Sequence, residues 1–176
     1  MQYATDSRYD LVARLLHWLI VALVAAQFVI GWTMPDVHRD TRPEGEIAWH
    51  LGVGSALIAA MACRLIWRAT HRPPPVDQTP LMRAVASLTH VGLYGLLVAV
   101  PVLGWINASS RAWAVTLFAA IPLPALSPAG SSFGHAMGDV HSVLAWVLFA
   151  LICLHVAAAL FHRFVLNDQI LQRMKL

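Results

Sequence analysis

The sequence predicts an all-α fold, a four-helix transmembrane bundle with both termini cytoplasmic. Three observations predict it. Hydrophobic residues make up 59% of the 176 residues and charged residues only 12%, against roughly 25% charged in a water-soluble domain. The apolar residues gather into four runs, each close to the ~20 residues that a spanning helix needs. Lysine and arginine cluster on one side of those runs, as cytoplasmic segments do. The length suits one membrane-embedded domain, residues 1–176.

The first run covers residues 11–32. Val24-Ala25-Ala26 has the small residues of a cleavage site, but the apolar stretch continues to Trp32, beyond the length of a signal segment, so it reads as a retained span. The second run covers residues 47–67 and the third residues 84–106, where Pro101 and Gly104 should bend the helix. The fourth covers residues 140–165. In lipid each run must satisfy its own backbone hydrogen bonds, which makes all four helical. Pro73-Pro74-Pro75 predicts a stiff, extended connection between the second and third helices. The connection over residues 107–139 is long and partly apolar. Trp113, Phe118 and its prolines predict that it lies along the membrane surface.

Nine basic residues fall on one side: Arg8, Arg14, Arg64, Arg68, Arg72, Arg83, Arg163, Arg173 and Lys175. Three fall on the other: Arg39, Arg42 and Arg111. The basic pI of about 9.3 is therefore a topology signal, and no nucleic-acid partner is expected. The outward segments also carry Asp36, Asp40, Glu44, Glu46 and Asp139, an acidic surface on which a soluble partner could dock.

Nine histidines are many for so apolar a chain, and ionisable residues inside spans are costly and mark function. His38, His71 and His135 fall in or beside loops and read as solvated. His17 and His155 lie at matched depths towards the cytoplasmic side, and His50 and His141 at matched depths towards the outer side. His141 and His155 are 14 residues apart. At helical geometry that interval returns to within about 40° of the same face, with about 21 Å of rise. Two metal centres stacked across a bilayer would need this arrangement. Zinc or di-iron sites want clustered His, Cys or carboxylate ligands, and the spans hold almost no Asp or Glu. Two neutral imidazoles in an apolar surround suit axial coordination of a haem. Small residues near the histidines, among them Gly52, Gly54, Gly138 and Ala157, leave room for a macrocycle. Arg14, Arg64, Arg68 and Arg163 are candidate partners for the propionates at the cytoplasmic end. His90 could replace His17 or His155 as a ligand, and His162 reads as a propionate or quinone hydrogen-bond partner or as an interfacial residue. Cys63 and Cys153 sit in apolar runs with no Cys-x-x-Cys-His, so no covalent haem attachment is expected.

These residues resemble the bacterial cytochrome b561 family of small di-haem membrane proteins. The matching motifs are Arg14-Leu15-Leu16-His17-Trp18, Trp49-His50-Leu51-Gly52, Arg64-Leu65-Ile66-Trp67-Arg68, His90 through Pro101-Val102-Leu103-Gly104, and Val140-His141 through His155 to His162. The likeness spans about Arg8 to Met174, and the helix-four pattern is its most specific part. The resemblance implies two non-covalent b haems with bis-histidine ligation. His17 and His155 would hold the cytoplasmic haem, and His50 and His141 the outer one. It also implies a multi-pass protein of the bacterial inner membrane. Such a protein would carry single electrons from an outer donor to the ubiquinone pool. Superoxide is the favoured donor, in an oxidoreductase of the superoxide oxidase type. The alternative within the family is a subunit that serves a hydrogenase, dehydrogenase or reductase. No residue is singled out as catalytic.

Overall fold

The computed structural model describes residues 8–38, 40–71 and 79–176. Arg39, Arg72 and the Pro73-Pro74-Pro75 run lie outside the described residues. Among the described residues, helices α1 (Leu11–Thr33), α2 (Gly45–Thr70), α3 (Pro80–Ser110) and α4 (Ser132–Phe164) are each long and apolar enough to cross a membrane. A two-stranded antiparallel hairpin, β1 (Thr116–Leu117) and β2 (Ile121–Pro122), lies between α3 and α4. A single 3-10 turn, Leu171–Met174, follows α4.

The starts of α1, α3 and α4 are capped by side chains. Asp10 accepts the Ala13 amide at 2.9 Å, Thr79 accepts the Met82 amide at 3.3 Å ahead of Pro80, and Ser131 accepts the Gly134 amide at 3.1 Å. Each bond satisfies an amide that a helix start leaves without a partner. These caps explain why two helices outrun their apolar stretches. At 1.5 Å per residue α3 is about 46 Å long and α4 about 50 Å, whereas the hydrocarbon core of a bilayer is about 30 Å thick. Hydropathy sees only the middle of each. The connection expected over residues 107–139 is accordingly shorter. α3 runs on to Ser110, where Ser109 and Ser110 bond back to the Trp105 and Asn107 carbonyls at 2.9 and 2.7 Å. α4 starts eight residues before the apolar run, on Ser131. The hairpin is held against α2 by Ser55, whose hydroxyl donates to the Thr116 carbonyl at 2.9 Å.

α1 packs mainly on α2, and α3 on α4. Ile20, Val24, Leu57, Ala60 and Met61 fill the first contact, and Leu93, Val100 and Leu148 the second. Phe28, Leu97 and Ile152 touch both clusters and join the pairs into one bundle. Most remaining apolar side chains point outward, Trp49, Val143 and Trp146 among them. Such a surface is stable only against lipid.

The ends of the bundle differ. At one end the start of α1 meets the segment after α4. Tyr9 donates its amide to the Arg173 carbonyl at 3.1 Å, and Arg14 and the Trp18 indole donate to the Lys175 and Met174 carbonyls at 2.7 and 2.8 Å. At the other end Arg111 donates to the His38 carbonyl at 3.0 Å, joining the two loops. These are called the terminal end and the loop end below.

Asp10 does two jobs at the terminal end, because it also accepts the Trp67 indole of α2 at 3.0 Å. Burial opposes its charge, but the Ala13 and Val12 amides, the Trp67 indole and nearby His71 outweigh that, and the carboxyl is held below its ordinary range. A depressed carboxylate stabilises the fold above its unfolded pKa and loses that contribution as pH falls through the folded value. Asp10→Ala should therefore cost about 1 kcal/mol in thermal unfolding of the solubilised protein near neutral pH. The difference from wild type should shrink in acid, below the usual carboxylate range. A difference that persists there would contradict the assignment.

Candidate functional site

Two groups of imidazoles lie along the bundle, one towards each end. α4 contributes to both, because His141 and His155 stand seven residues either side of Leu148, at the middle of the helix. Spacings of seven and 14 residues keep all three on one stripe, and Leu148 is a buried core residue.

Towards the loop end, α2 presents His50 and α4 presents His141. Their ring centroids are 6.0 Å apart in an edge-to-face arrangement. His141 is backed by α3. Its Nδ1 lies 2.8 Å from the Val100 carbonyl, which makes Nδ1 the protonated nitrogen and leaves the Nε2 lone pair free. Gly104, one turn further along α3, lets the ring sit there. A Cβ at that position would lie 3.1 Å from both Cε1 and Nδ1 of His141. His50 is backed by α1, where a Cβ on Gly31 would lie 3.5 Å from its Cε1 and 3.7 Å from its Nδ1. The Nδ1 of His50 is buried with no hydrogen-bond partner. Each ring thus turns its Nδ1–Cε1 edge to a glycine on the neighbouring helix, and Nε2 points well away from that helix.

A cavity of about 430 Å³ adjoins these two rings, within the usual size of small-molecule and cofactor sites. Gln27, Gly31, Gly54 and Gly104 line its inner part, and Asp36, Asn107, Arg111, His135 and Asp139 its polar part. A smaller apolar cavity of about 50 Å³, lined by Phe28, Pro101, His141 and Leu148, continues inward. Arg111 is fixed by its bond to His38 and by a second to the Asn107 side-chain oxygen at 3.2 Å. Its guanidinium lies over the Trp113 ring, 5.4 Å from the centroid. Asn107 in turn donates to the Gly134 and His135 carbonyls at 3.1 Å each, tying α3 to α4.

Towards the terminal end, His155 meets His90 of α3 with ring centroids 5.5 Å apart. His17 of α1 lies within electrostatic reach of His155, His90 and Arg64. His17 and His155 are half-buried, whereas His90 is exposed. Arg64 donates to the Tyr94 hydroxyl at 3.2 Å and to the Ala13 carbonyl at 3.1 Å. The Nε of Arg14 is buried without a partner. Arg68 is exposed on α2, close enough to His90 to interact with it electrostatically. His162, in the last turn of α4, bonds the Asp168 carboxylate through Nδ1. Among the described residues no three or more His, Cys, Asp or Glu side chains gather into a metal-binding group.

All the histidines read from the sequence as candidate ligands therefore fall into these two groups. Sequence reasoning passed over Gln27, Gly31, Arg111 and Asn107. Gln27 was a visible signal, an amide in the middle of an apolar run. The other three gain meaning only from the neighbouring helix.

The family model for prokaryotic cytochrome b561 matches residues 8–175. Cytochrome b561 homolog 2 of Escherichia coli (strain K12) is 30% identical, over 97% of this chain and 92% of its own. A Yersinia pestis protein named Probable superoxide oxidase CybB is 28% identical over 90% of both chains. Cytochrome b562 of Cereibacter sphaeroides is 30% identical, over 90% of this chain and 89% of its own. A four-span bundle with imidazoles gathered inside it, and a family match along nearly its whole length, place this chain in the prokaryotic cytochrome b561 family of electron-transport membrane proteins, a membership that implies b-type haem.

Proposed function

We propose that the chain holds two b haems, each between two imidazoles, and carries single electrons between a donor at the loop end and the ubiquinone pool. The observation that carries this reading is the edge-to-face pair His50–His141 beside the loop-end cavity, repeated 14 residues along the same stripe of α4 by His155. The residues fit the group. His141 has its Nδ1 engaged and its Nε2 lone pair free, two glycines make room for the rings, and the adjoining cavity offers Arg111 to a propionate. An iron held by two imidazoles has no open position, so it supplies electron transfer rather than oxygen binding.

At the loop end His50 and His141 are the ligands, and Arg111, which lines the cavity, is a cation placed for a propionate. At the terminal end the ligands are His17 and His155. The matched depths of His17 on α1 and His155 on α4 support that choice, and His90, whose ring meets that of His155, borders the site. Arg14, with its unpartnered Nε, and Arg64 and Arg68 are the propionate partners there. His162 is tied to Asp168 by one nitrogen and keeps the other for a propionate or a quinone. The positive-inside asymmetry supports a cytoplasmic terminal end in the bacterial inner membrane. The loop end then faces outward.

The donor we favour is superoxide, from the likeness to the Yersinia pestis protein. The balanced reaction is two superoxide, one quinone and two protons giving two dioxygen and one quinol. A second reading has a support of its own. Asp36, Asp40, Glu44, Glu46 and Asp139 are all exposed at the loop end, a surface suited to a docked redox enzyme.

Several outcomes separate these readings. Superoxide should reduce the purified protein and quinone should reoxidise it. No reduction by superoxide, with a dehydrogenase or reductase co-purifying, would select the docking role. In absorbance and redox titration, His141→Ala should lose mainly the loop-end haem and His155→Ala mainly the other; equal loss from both sites in both variants would refute the pairing. His17→Ala should lose the terminal-end haem and His90→Ala should keep it. Arg111→Gln should weaken retention of the loop-end haem by about tenfold, the scale of one hydrogen bond to a charged group. Unchanged retention would remove Arg111 from the site.

A further inference from the structure

The two loop-end imidazoles are backed in the same way, with one difference. On α3, the Val100 carbonyl bonds Nδ1 of His141, and Gly104 four residues later makes room for the ring. On α1, Gly31 makes room for the ring of His50, and the residue four positions earlier is Gln27. Residues four apart stand one above the other on a helix, so Gln27 occupies on α1 the place that the acceptor Val100 occupies on α3. Yet Nδ1 of His50 is buried with no partner, and so is the side-chain oxygen of Gln27. One is a donor and the other an acceptor, and both lie where water is excluded and an unpaired polar group is costly.

The two residues already touch. The Gln27 amide nitrogen donates to the backbone carbonyl of His50 at 3.1 Å. Gly54 is what admits that amide, since a Cβ there would lie 2.8 Å from the Gln27 nitrogen. The amide orientation is thereby assigned, with nitrogen towards the carbonyl and oxygen free. We propose that Gln27 is the positioning residue of the loop-end haem: its side-chain oxygen accepts the Nδ1 proton of His50 and so fixes Nε2 as the ligating nitrogen. Closing that bond would satisfy both unpaired atoms together. The role rests on the di-haem reading above. It adds an asymmetry that reading lacks. One ligand of the loop-end iron leans on a backbone carbonyl that no substitution can remove. The other leans on a side chain that substitution can tune.

The test is a redox titration of the detergent-solubilised holoprotein and of Gln27→Glu and Gln27→Leu, resolving the two haems. A carboxylate at position 27 accepts the proton more strongly, makes His50 the more electron-rich ligand, and should lower the midpoint potential of the loop-end haem. Leucine removes the acceptor. It should raise that potential and weaken haem binding at that site by about 10- to 100-fold, the usual effect of losing a partner of a metal-bound histidine. The terminal-end haem is the internal control and should not move. A merely structural role would not shift the potential in opposite directions in the two variants. If both variants keep a loop-end haem at the wild-type potential, the role of Gln27 is overturned while the di-haem reading stands. If the wild type holds no loop-end haem, the di-haem reading fails instead. The bond is then read in the haem-free protein by nitrogen NMR of His50. Protonation at Nδ1 that is lost in Gln27→Leu supports it, and an unchanged tautomer overturns it.

Discussion

A neutral imidazole has one nitrogen that donates and one that accepts, and inside a lipid-embedded bundle there is no water to serve either. That constraint organises the loop end. His141 meets it on one side with the Val100 carbonyl, which settles the tautomer and leaves one lone pair to be used. The glycines follow from it, because a ring pressed edge-on against a neighbouring helix needs a position without a Cβ. Gly31 and Gly104 are those positions. The polar residues around the cavity serve the same end, since Asn107 locks α3 to α4 and Arg111 locks the two loops together above it. The rings are therefore held by their surroundings before any metal is considered.

The second organising feature is α4. One straight stripe carries His141, Leu148 and His155, so the two sites share a spine and stand about 21 Å apart along it. At the loop end α2 adds His50 beside His141, and at the terminal end α3 brings His90 against His155 with His17 of α1 within electrostatic reach. Between the sites lie Phe28, Leu97, Ile152 and the apolar small cavity. An apolar, packed interior separates the two imidazole groups. Such a layout suits two redox centres that must exchange electrons and not ligands.

Much of this was legible in the sequence for physical reasons. A membrane span must be long, apolar and helical, so four runs gave four helices in the right order. The 14-residue interval survived intact because a helix fixes the relation between spacing and direction. The helix ends were misjudged because hydropathy reports lipid contact and not hydrogen bonding. The turns of α4 around Gly134 and Gly138 are helical but polar, and only the Ser131 cap marks their start. The hairpin at Thr116–Pro122 is too short for any periodicity to declare it. Partnership across helices was the least visible. His90 against His155, Arg111 with His38, and Gln27 beside His50 join residues from different helices and loops, and no pattern along one segment encodes them.

In the proposed function two iron sites, and not one, hang from α4. Haem quantification on the purified protein, as the ratio of protohaem extracted to polypeptide, tests it most directly. Two b haems per chain are expected, both low-spin, with two resolvable potentials. A ratio of one, or a high-spin component from an iron lacking its second imidazole, would contradict it.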